Sequence, residues 1–362
     1  MKKMIALLLC FVFVLSGCSG ASNTETGGTD TKSGEKSSQA SGEKRKLIVS
    51  TWGLSEDVLH EDVYGPFEKA FNCEVILEIG STSERYTKLE NDPNSSIDVI
   101  ELSQSAAANG YGSGLFEKID YTKIPNAADL IPAAKQITKT GYGPAYTINS
   151  IGIIYDPEAV GFEITKFSDL WNSELEGKIS IPDITTTFGP AMVAIASDYK
   201  GVDLTSDNGA AAFEALSELK PILVKTYTKS SDLANMFASG EIVAAVVGDY
   251  GVPVIKEAAP QVAYVTPEGT YANFNTIDIN LNSDNKDLAY EYMNWRLSGE
   301  LQATTAVTLN EAPTNSTVQL TKEQAANKTY GAVAEAAKAL DYSLVNPLME
   351  DWINQWNLII NN

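Results

Sequence analysis

The sequence predicts an α/β fold of two lobes with a ligand cleft between them. Short apolar, β-branched runs alternate with helical segments, which implies parallel sheet covered on both faces. The alternation comes in two blocks that meet near residue 145. The body of about 300 residues is also too long for one small core and suits about two domains.

The elements follow in chain order. Residues 46–52 (KLIVSTW) read as a strand. Residues 57–71 read as a helix, with Ser55 as its cap and Pro66 at a kink or break. Residues 74–79 (EVILEI) and 98–102 (DVIEL) are strands with a helix over 84–90 between them. In the second block, 151–155, 178–181, 222–227, 242–248, 262–266 and 276–281 are read as strands. Helices are expected over 190–199, 208–219, 288–297, 331–340 and 344–360, the last broken near Pro347. Sheets of this kind bind ligands at the carboxyl ends of their strands. That directs attention to Thr51-Trp52-Gly53, to residues 80–83 and to Ser103-Gln104-Ser105.

Charge and cysteine content narrow the function. The 362 residues hold 47 Asp plus Glu against 26 Lys plus Arg, a formal charge of −21. Such a chain repels phosphate backbones and anionic membrane surfaces, so nucleic acid is excluded as a partner. Lys2 and Lys3 precede a 12-residue apolar run over 4–15, which as a helix spans about 18 Å, too short for a ~30 Å hydrocarbon core. It reads as a signal peptide over 1–17. It ends in Leu15-Ser16-Gly17-Cys18, which resembles the bacterial lipobox and implies cleavage before Cys18 and lipidation of its thiol. Two or more acyl chains anchor a protein stably where one does not. Of the three cysteines only Cys73 then remains, as a small buried hydrophobe rather than half of a disulfide. Residues 19–42 follow, and 15 of these 24 are Ser, Thr or Gly. They bury too little apolar surface to order themselves and are expected to tether the lipid to a body beginning near residue 46.

Several segments together resemble a known family. They are the opening strand ending in Thr51-Trp52-Gly53, Ile97-Asp98-Val99-Ile100 with Leu102-Ser103, and residues 114–120 (GLFEKID). Further along stand Ala145-Tyr146 with 150–155 (SIGIIY), 167–171 (FSDLW) with 176–178 (EGK), 239–244 (SGEIVA), 267–269 (PEG) and 312–315 (APTN). Their order over residues 46–315 resembles the type II periplasmic binding proteins, and within them the spermidine/putrescine-binding branch. The resemblance implies a solute receptor for an ABC importer, with a permease and ATPase complex as partner, a hinge between lobes, and no enzymatic activity or cofactor. It implies lobe 1 over 46–145 and 276–315, lobe 2 over 146–275, and C-terminal helices over 316–362 packing across both. A monomer held on the extracytoplasmic face of the membrane by its lipid is expected.

The departures from that branch bear on the ligand. Polyamine binders pair carboxylates with amines and flank the methylene chain with tryptophans, whose faces attract cations by about 0.5–2 kcal/mol. Here the acids after Ile181-Pro182-Asp183 align with Ile184 and Thr187, the tryptophan after the 242–247 strand with Gly248, and a later tryptophan and acid with Asn273 and Asn275. A slip of one or two places would offer Asp183 or Asp249 instead. Neutral hydrogen-bonding groups remain: Ser81, Thr82, Ser83, Ser103, Ser105 and Thr185-Thr186-Thr187. Hydroxyls and helix N-termini suit neutral or anionic groups, and Arg85 offers a bidentate contact. Trp52 is a candidate stacking platform, Tyr146 and Tyr250 are further aromatic candidates, and Asp249 is the acid best placed for a cation. The solute is thus a compact amine by family default, with a phosphonate, small zwitterion or other organic anion as the alternative.

Rival classes fare worse. An extracellular hydrolase has little to work with: His60 is the single histidine and sits in a run with Glu56, Asp57, Glu61 and Asp62 that reads as a solvated acidic helix face. Residues 110–114 (GYGSG) place the serine one position late for a nucleophile elbow. No paired Cys or His suggests zinc. A ferric-ion receptor would need clustered tyrosines, and no adjacent Tyr-Tyr pair occurs.

Overall fold

Val, Ile and Leu recur through β1 (Arg45–Thr51), β2 (Cys73–Ile79) and β3 (Val99–Ser103), which pair in parallel with β1 in the middle. The computed structural model describes residues 44–53, 55–139 and 141–362. The leader, Cys18 and the tether up to residue 43 lie outside the described residues. The chain from β1 to β2 does not run as one α-helix. A helical turn over Glu56–Leu59 widens into a π turn at His60–Tyr64 before α1 (Gly65–Phe71). Pro66 has no N–H to offer the α-helical ladder, and the widened turn ends just before it. Ser55 adopts a left-handed φ of 50° and makes no side-chain cap bond, contrary to the expected capping role.

Beyond β2 comes α2 (Thr82–Asn91), and beyond β3 comes α3 (Gln104–Gly112). The strand β4 (Ala145–Tyr155) is longer than expected and changes partners along its length. Up to Ser150 it pairs antiparallel with β9 (Tyr271–Ile279); from Ile151 it pairs with β7 (Ala244–Gly248). The second lobe is completed by β5 (Ile179–Pro182), β6 (Leu223–Tyr227) and β8 (Ala263–Val265). Its helices are α4 (Gly189–Lys200), α5 (Ala210–Leu219), α6 (Ser230–Ala238) and α7 (Val252–Ala258). The strand order β2-β1-β3-β9-β4-β7-β5-β6 makes a single sheet through both lobes. It is parallel at each end, as the alternation implies, and antiparallel at the two crossing strands of the hinge. A sheet whose chain must cross out and return needs strands of opposite sense there.

Each lobe has its own core. Leu47, Val49, Val99, Ile148, Phe274 and Ile277 pack in the first, with α8 (Lys286–Arg296) and α9 (Gly299–Thr308) against them. Ile151, Ile153, Ile181, Met192, Leu216 and Val246 pack in the second. The short strands β10 (Ala312–Pro313) and β11 (Lys338–Ala339) pair with β4 and β9. The expected helix over 331–340 is therefore only a turn at Ala332–Ala336 that runs into β11. The final helix α10 (Met349–Ile359) inserts Trp352 and Trp356, both wholly buried, into the second core. A fully buried side chain of this size contributes on the order of 3 kcal/mol. Just before α10, Asn346 accepts from Ser105 Oγ at 3.0 Å and donates to Asn109 Oδ1 at 2.7 Å on α3, so this segment touches both lobes.

Candidate functional site

The register places the strand ends of both lobes at the hinge. Ser103, the last residue of β3, lies opposite Asn275, and Asn275 lies opposite Thr147 of β4. From the other side Gly248, the last residue of β7, lies opposite Ile151. The stretch 147–151 is therefore flanked by the carboxyl ends of both halves of the sheet.

Polar side chains gather there. Asn273 Nδ2 donates to Asn275 Oδ1 at 2.9 Å, and Asn275 Nδ2 to Asn149 Oδ1 at 3.3 Å. Asn273 Oδ1 is buried and has no partner. Asp249, at the turn after β7, is 3% exposed. Its Oδ2 accepts from Thr329 N at 2.9 Å and Thr329 Oγ1 at 2.5 Å, and Thr329 Oγ1 also reaches Ser150 Oγ at 2.7 Å. Its Oδ1 has no hydrogen-bond partner. Burial pushes the Asp249 pKa up to about 6, with the Thr329 bonds and the nearby N–H dipoles of Ser150 and Tyr250 resisting the rise. Those two dipoles attract the carboxylate without meeting hydrogen-bond geometry.

Aromatic rings crowd Gly248. At Gly248 a Cβ would stand 2.5 Å from both the Phe188 and Tyr250 rings. Those rings stack, with centroids 6.1 Å apart and planes 13° apart, in the space a tryptophan at 248 would need. Tyr250 is 40% exposed and Phe188 is buried. Thr187, immediately before Phe188, is half-buried.

On the first lobe, Trp52 is half-buried and its Nε1 donates to Thr82 Oγ1 at 3.1 Å. Its ring lies over Arg85, with Cζ 4.6 Å from the ring centroid. Arg85, offered by the sequence for a bidentate contact, is held by main-chain oxygens. It is buried, donating from Nε to Gly80 O at 3.0 Å and from Nη1 to Ser50 O at 3.0 Å and Glu101 O at 2.7 Å. Burial pushes its pKa down to about 10, against the pull of Glu101. Ser81 caps α2 reciprocally with Glu84, so its hydroxyl is committed to the helix, and Ser83 is exposed. Ser103 is buried at the start of α3 without a side-chain cap bond. Ser105 is engaged by Asn346.

Tyr146 belongs elsewhere. A register shift between Ala145 and Thr147 inserts it as an extra residue in β4. It is buried, with its hydroxyl 3.3 Å from Glu101 Oε2 and Arg296 Cζ 4.1 Å from its ring centroid. Glu101 also accepts from Thr51 Oγ1 at 2.7 Å and Tyr292 OH at 2.8 Å. Arg296 lies 3.4 Å from Glu101 Oε1 and 3.0 Å from Glu311 Oε1. This cluster sits inside lobe 1 and holds it together, so Tyr146 is a strut of the core and not an aromatic contact for the solute.

Of the residues the sequence offered, the fold places Trp52, Asp249 and Tyr250 just after strand ends, and Asn273 and Asn275 within β9 where the end of β3 meets it. Sequence reasoning missed Asn149, Ser150, Phe188 and Thr329. The polar pair Asn149-Ser150 inside an otherwise apolar strand was a usable signal; Thr329 is 80 residues from its partner and gave none. Among the described residues, no group of three or more His, Cys, Asp or Glu could hold a metal ion. None of their helices is long and apolar enough to cross a membrane.

Comparison with known proteins gives the family. Residues 63–332 match the family described as bacterial extracellular solute-binding protein. A crystal structure of an ABC transporter from Clostridium perfringens ATCC 13124 is 56% identical, covers 87% of this chain and 100% of its own, and has a TM-score of 0.79. The spermidine/putrescine-binding periplasmic protein of Escherichia coli (strain K12) is 24% identical over 285 residues, 75% of this chain and 80% of that protein. The gamma-aminobutyric acid-binding protein of Pseudomonas aeruginosa is 23% identical over 239 residues, 64% of this chain and 66% of that protein.

Proposed function

The chain belongs to the bacterial extracellular solute-binding protein family and is the solute-binding component of an ABC importer, and on that premise we propose that its solute is a compact polar molecule bearing an amine, held where the strand ends meet the hinge. One observation carries this reading. Two buried acceptors at that place, Asp249 Oδ1 and Asn273 Oδ1, accept no hydrogen bond of normal geometry, the Ser150 and Tyr250 N–H groups only leaning toward the Asp249 carboxylate. Native structures satisfy nearly all buried polar atoms, so two orphan acceptors beside one hinge call for an outside donor. An ammonium group supplies up to three N–H bonds and, at Asp249, a direct ionic partner beside the more distant Lys328. The exposed Tyr250 and the half-buried Trp52 would flank it. Spermidine and putrescine, named for one relative, and gamma-aminobutyric acid, named for another, all carry amines.

The lobes are taken as 46–145 with 276–315, and 146–275, closing about β4 and β9 on the solute. Residues 316–362 pack across both, an arrangement supported by the Asn346 contacts to α3 and the Trp352 and Trp356 anchors. Cys18 carries the lipid that holds the protein to the outer face of the membrane. The receptor works as a monomer and does no chemistry on its cargo.

Thermal melts test the solute class. A ligand at 100 times its Kd adds about 2.7 kcal/mol, a shift of several degrees. Putrescine, spermidine or an amino acid is expected to raise the Tm. Stabilisation by sugars or ferric ion alone would overturn the amine assignment. Mass spectrometry of the membrane fraction tests the anchor: a diacylglyceryl mass on Cys18, absent from Cys18→Ser, is the expected result.

A further inference from the structure

We propose that the solute also carries an anionic group, a carboxylate or phosphonate, and that Arg85 receives it at the carboxyl ends of the lobe 1 strands. This rests on the receptor reading and narrows its solute from any compact amine to a zwitterion.

Arg85 is 4% exposed, and every hydrogen bond it makes goes to a main-chain oxygen. Nη2 is buried with no partner. Among the described residues no carboxylate forms an ion pair with it. Glu101 is the near acid, but its carboxylate is taken by Thr51, Tyr146, Tyr292 and Arg296, and it offers Arg85 only its carbonyl. A buried guanidinium without a counter-ion is costly and is retained where something else completes it.

Its position fits that role. The carbonyls that hold Nη1 belong to Ser50 and Glu101, one and two residues before the ends of β1 and β3. Helix α3 starts at the same strand end, and its cap Ser103 makes no side-chain bond to the first-turn N–H groups. The neighbouring α2 differs, because Ser81 and Glu84 close its N-terminus. Trp52 covers one face of the guanidinium, and Nη2 is the nitrogen left without a bond. An acid group there accepts from Nη2 and from the open end of α3. A solute with amines only leaves Nη2 unpaired. The overall charge of −21 opposes anions, so an acid is bound only where local donors are concentrated in this way.

Matched pairs test this with the full chain: putrescine against γ-aminobutyrate and γ-aminopropylphosphonate, with acetate and inorganic phosphate as bare anions against chloride at fixed ionic strength. Calorimetry and thermal melts are expected to show the acid-bearing member binding at least about tenfold more tightly than the diamine. Arg85→Gln is expected to weaken it by roughly thirty-fold or more. Putrescine binding as well as γ-aminobutyrate, or full affinity in Arg85→Gln, overturns the anion site and leaves the amine-receptor reading standing. Stabilisation by acetate or phosphate that Arg85→Gln removes, with no amine bound, supports Arg85 and sinks the amine assignment instead. No response to any of these overturns both. If Arg85→Gln fails to fold, the paired comparison in the unmodified protein decides alone.

Discussion

Lobe 1 buries two arginines, and they are neutralised in different ways. Each lies against an aromatic ring, Arg296 at 4.1 Å from the Tyr146 centroid and Arg85 at 4.6 Å from that of Trp52. Arg296 meets two carboxylates, Glu101 and Glu311, whose charges outweigh the effect of burial and hold its pKa above the usual value. Arg85 bonds only to carbonyls and feels Glu101 without pairing with it, and burial wins. The same side chain under the same kind of ring is complete in one place and incomplete in the other. Completed charge networks hold a lobe together; incomplete ones at strand ends are where a solute is expected.

The largest expected effect breaks the completed pair. Arg296→Met leaves Glu101 and Glu311 facing each other without their cation and is expected to cost about 3–5 kcal/mol, read by urea unfolding. Solute affinity of the folded fraction should stay unchanged. A loss below about 1 kcal/mol would mean that the two arginines are energetically alike.

A second test uses the buried carboxylates. Burial raises both Asp249 and Asp278 to about 6. A folded pKa above the unfolded one means the native state binds the extra proton. The stabilisation is then full below about pH 4 and is lost as the pH rises through about 6. Each group accounts for roughly 3 kcal/mol across that window. Solute-free melts between pH 4 and 7 should fall with rising pH, and Asp249→Asn should remove about half the slope. A cation bound at Asp249 favours the charged form, so solute affinity should rise over the same window. A flat affinity profile would separate Asp249 from the ligand.

The third effect is on binding alone. Asp249→Asn keeps an acceptor for Thr329 but removes the charge, and solute affinity should fall about tenfold, or ~1.4 kcal/mol, at pH 7.5 with the Tm unchanged or higher. The smallest effect sharpens the boundary of the site. Ser81→Ala opens the α2 capping box and should cost about 1 kcal/mol of stability. Calorimetry should find affinity within twofold, because Ser81 already serves its helix.

Much of this architecture can be read from residues and much cannot. The runs KLIVST, EVILEI and VIEL announce parallel strands because apolar residues continue through both faces. β9 starts earlier than its apolar stretch suggests, because Asn273 and Asn275 interrupt it at the place where its side chains turn to the hinge. Helix α3 escapes notice because QSAAANGYG carries no apolar stripe. At the site, Trp52 is visible through strand-end logic, and the two asparagines only through the family resemblance. Tyr146 misleads because one inserted residue turns its ring into the lobe, and no sequence pattern marks such a bulge. That Arg85 is wrapped by the carbonyls of Gly80, Ser50 and Glu101 has no mark in the sequence, because the three lie on different strands or strand ends.

The partner exchange in β4 has a consequence for traffic. Lobe 1 pairs end at Ser150 and lobe 2 pairs begin at Ile151. The two lobes can rock by flexing β4 and β9 while every ladder bond within them stays made. Such bending proceeds in microseconds to milliseconds, without the toll of unzipping a sheet. A carrier built this way can grip its cargo firmly and still surrender it promptly when a membrane port pulls the halves apart.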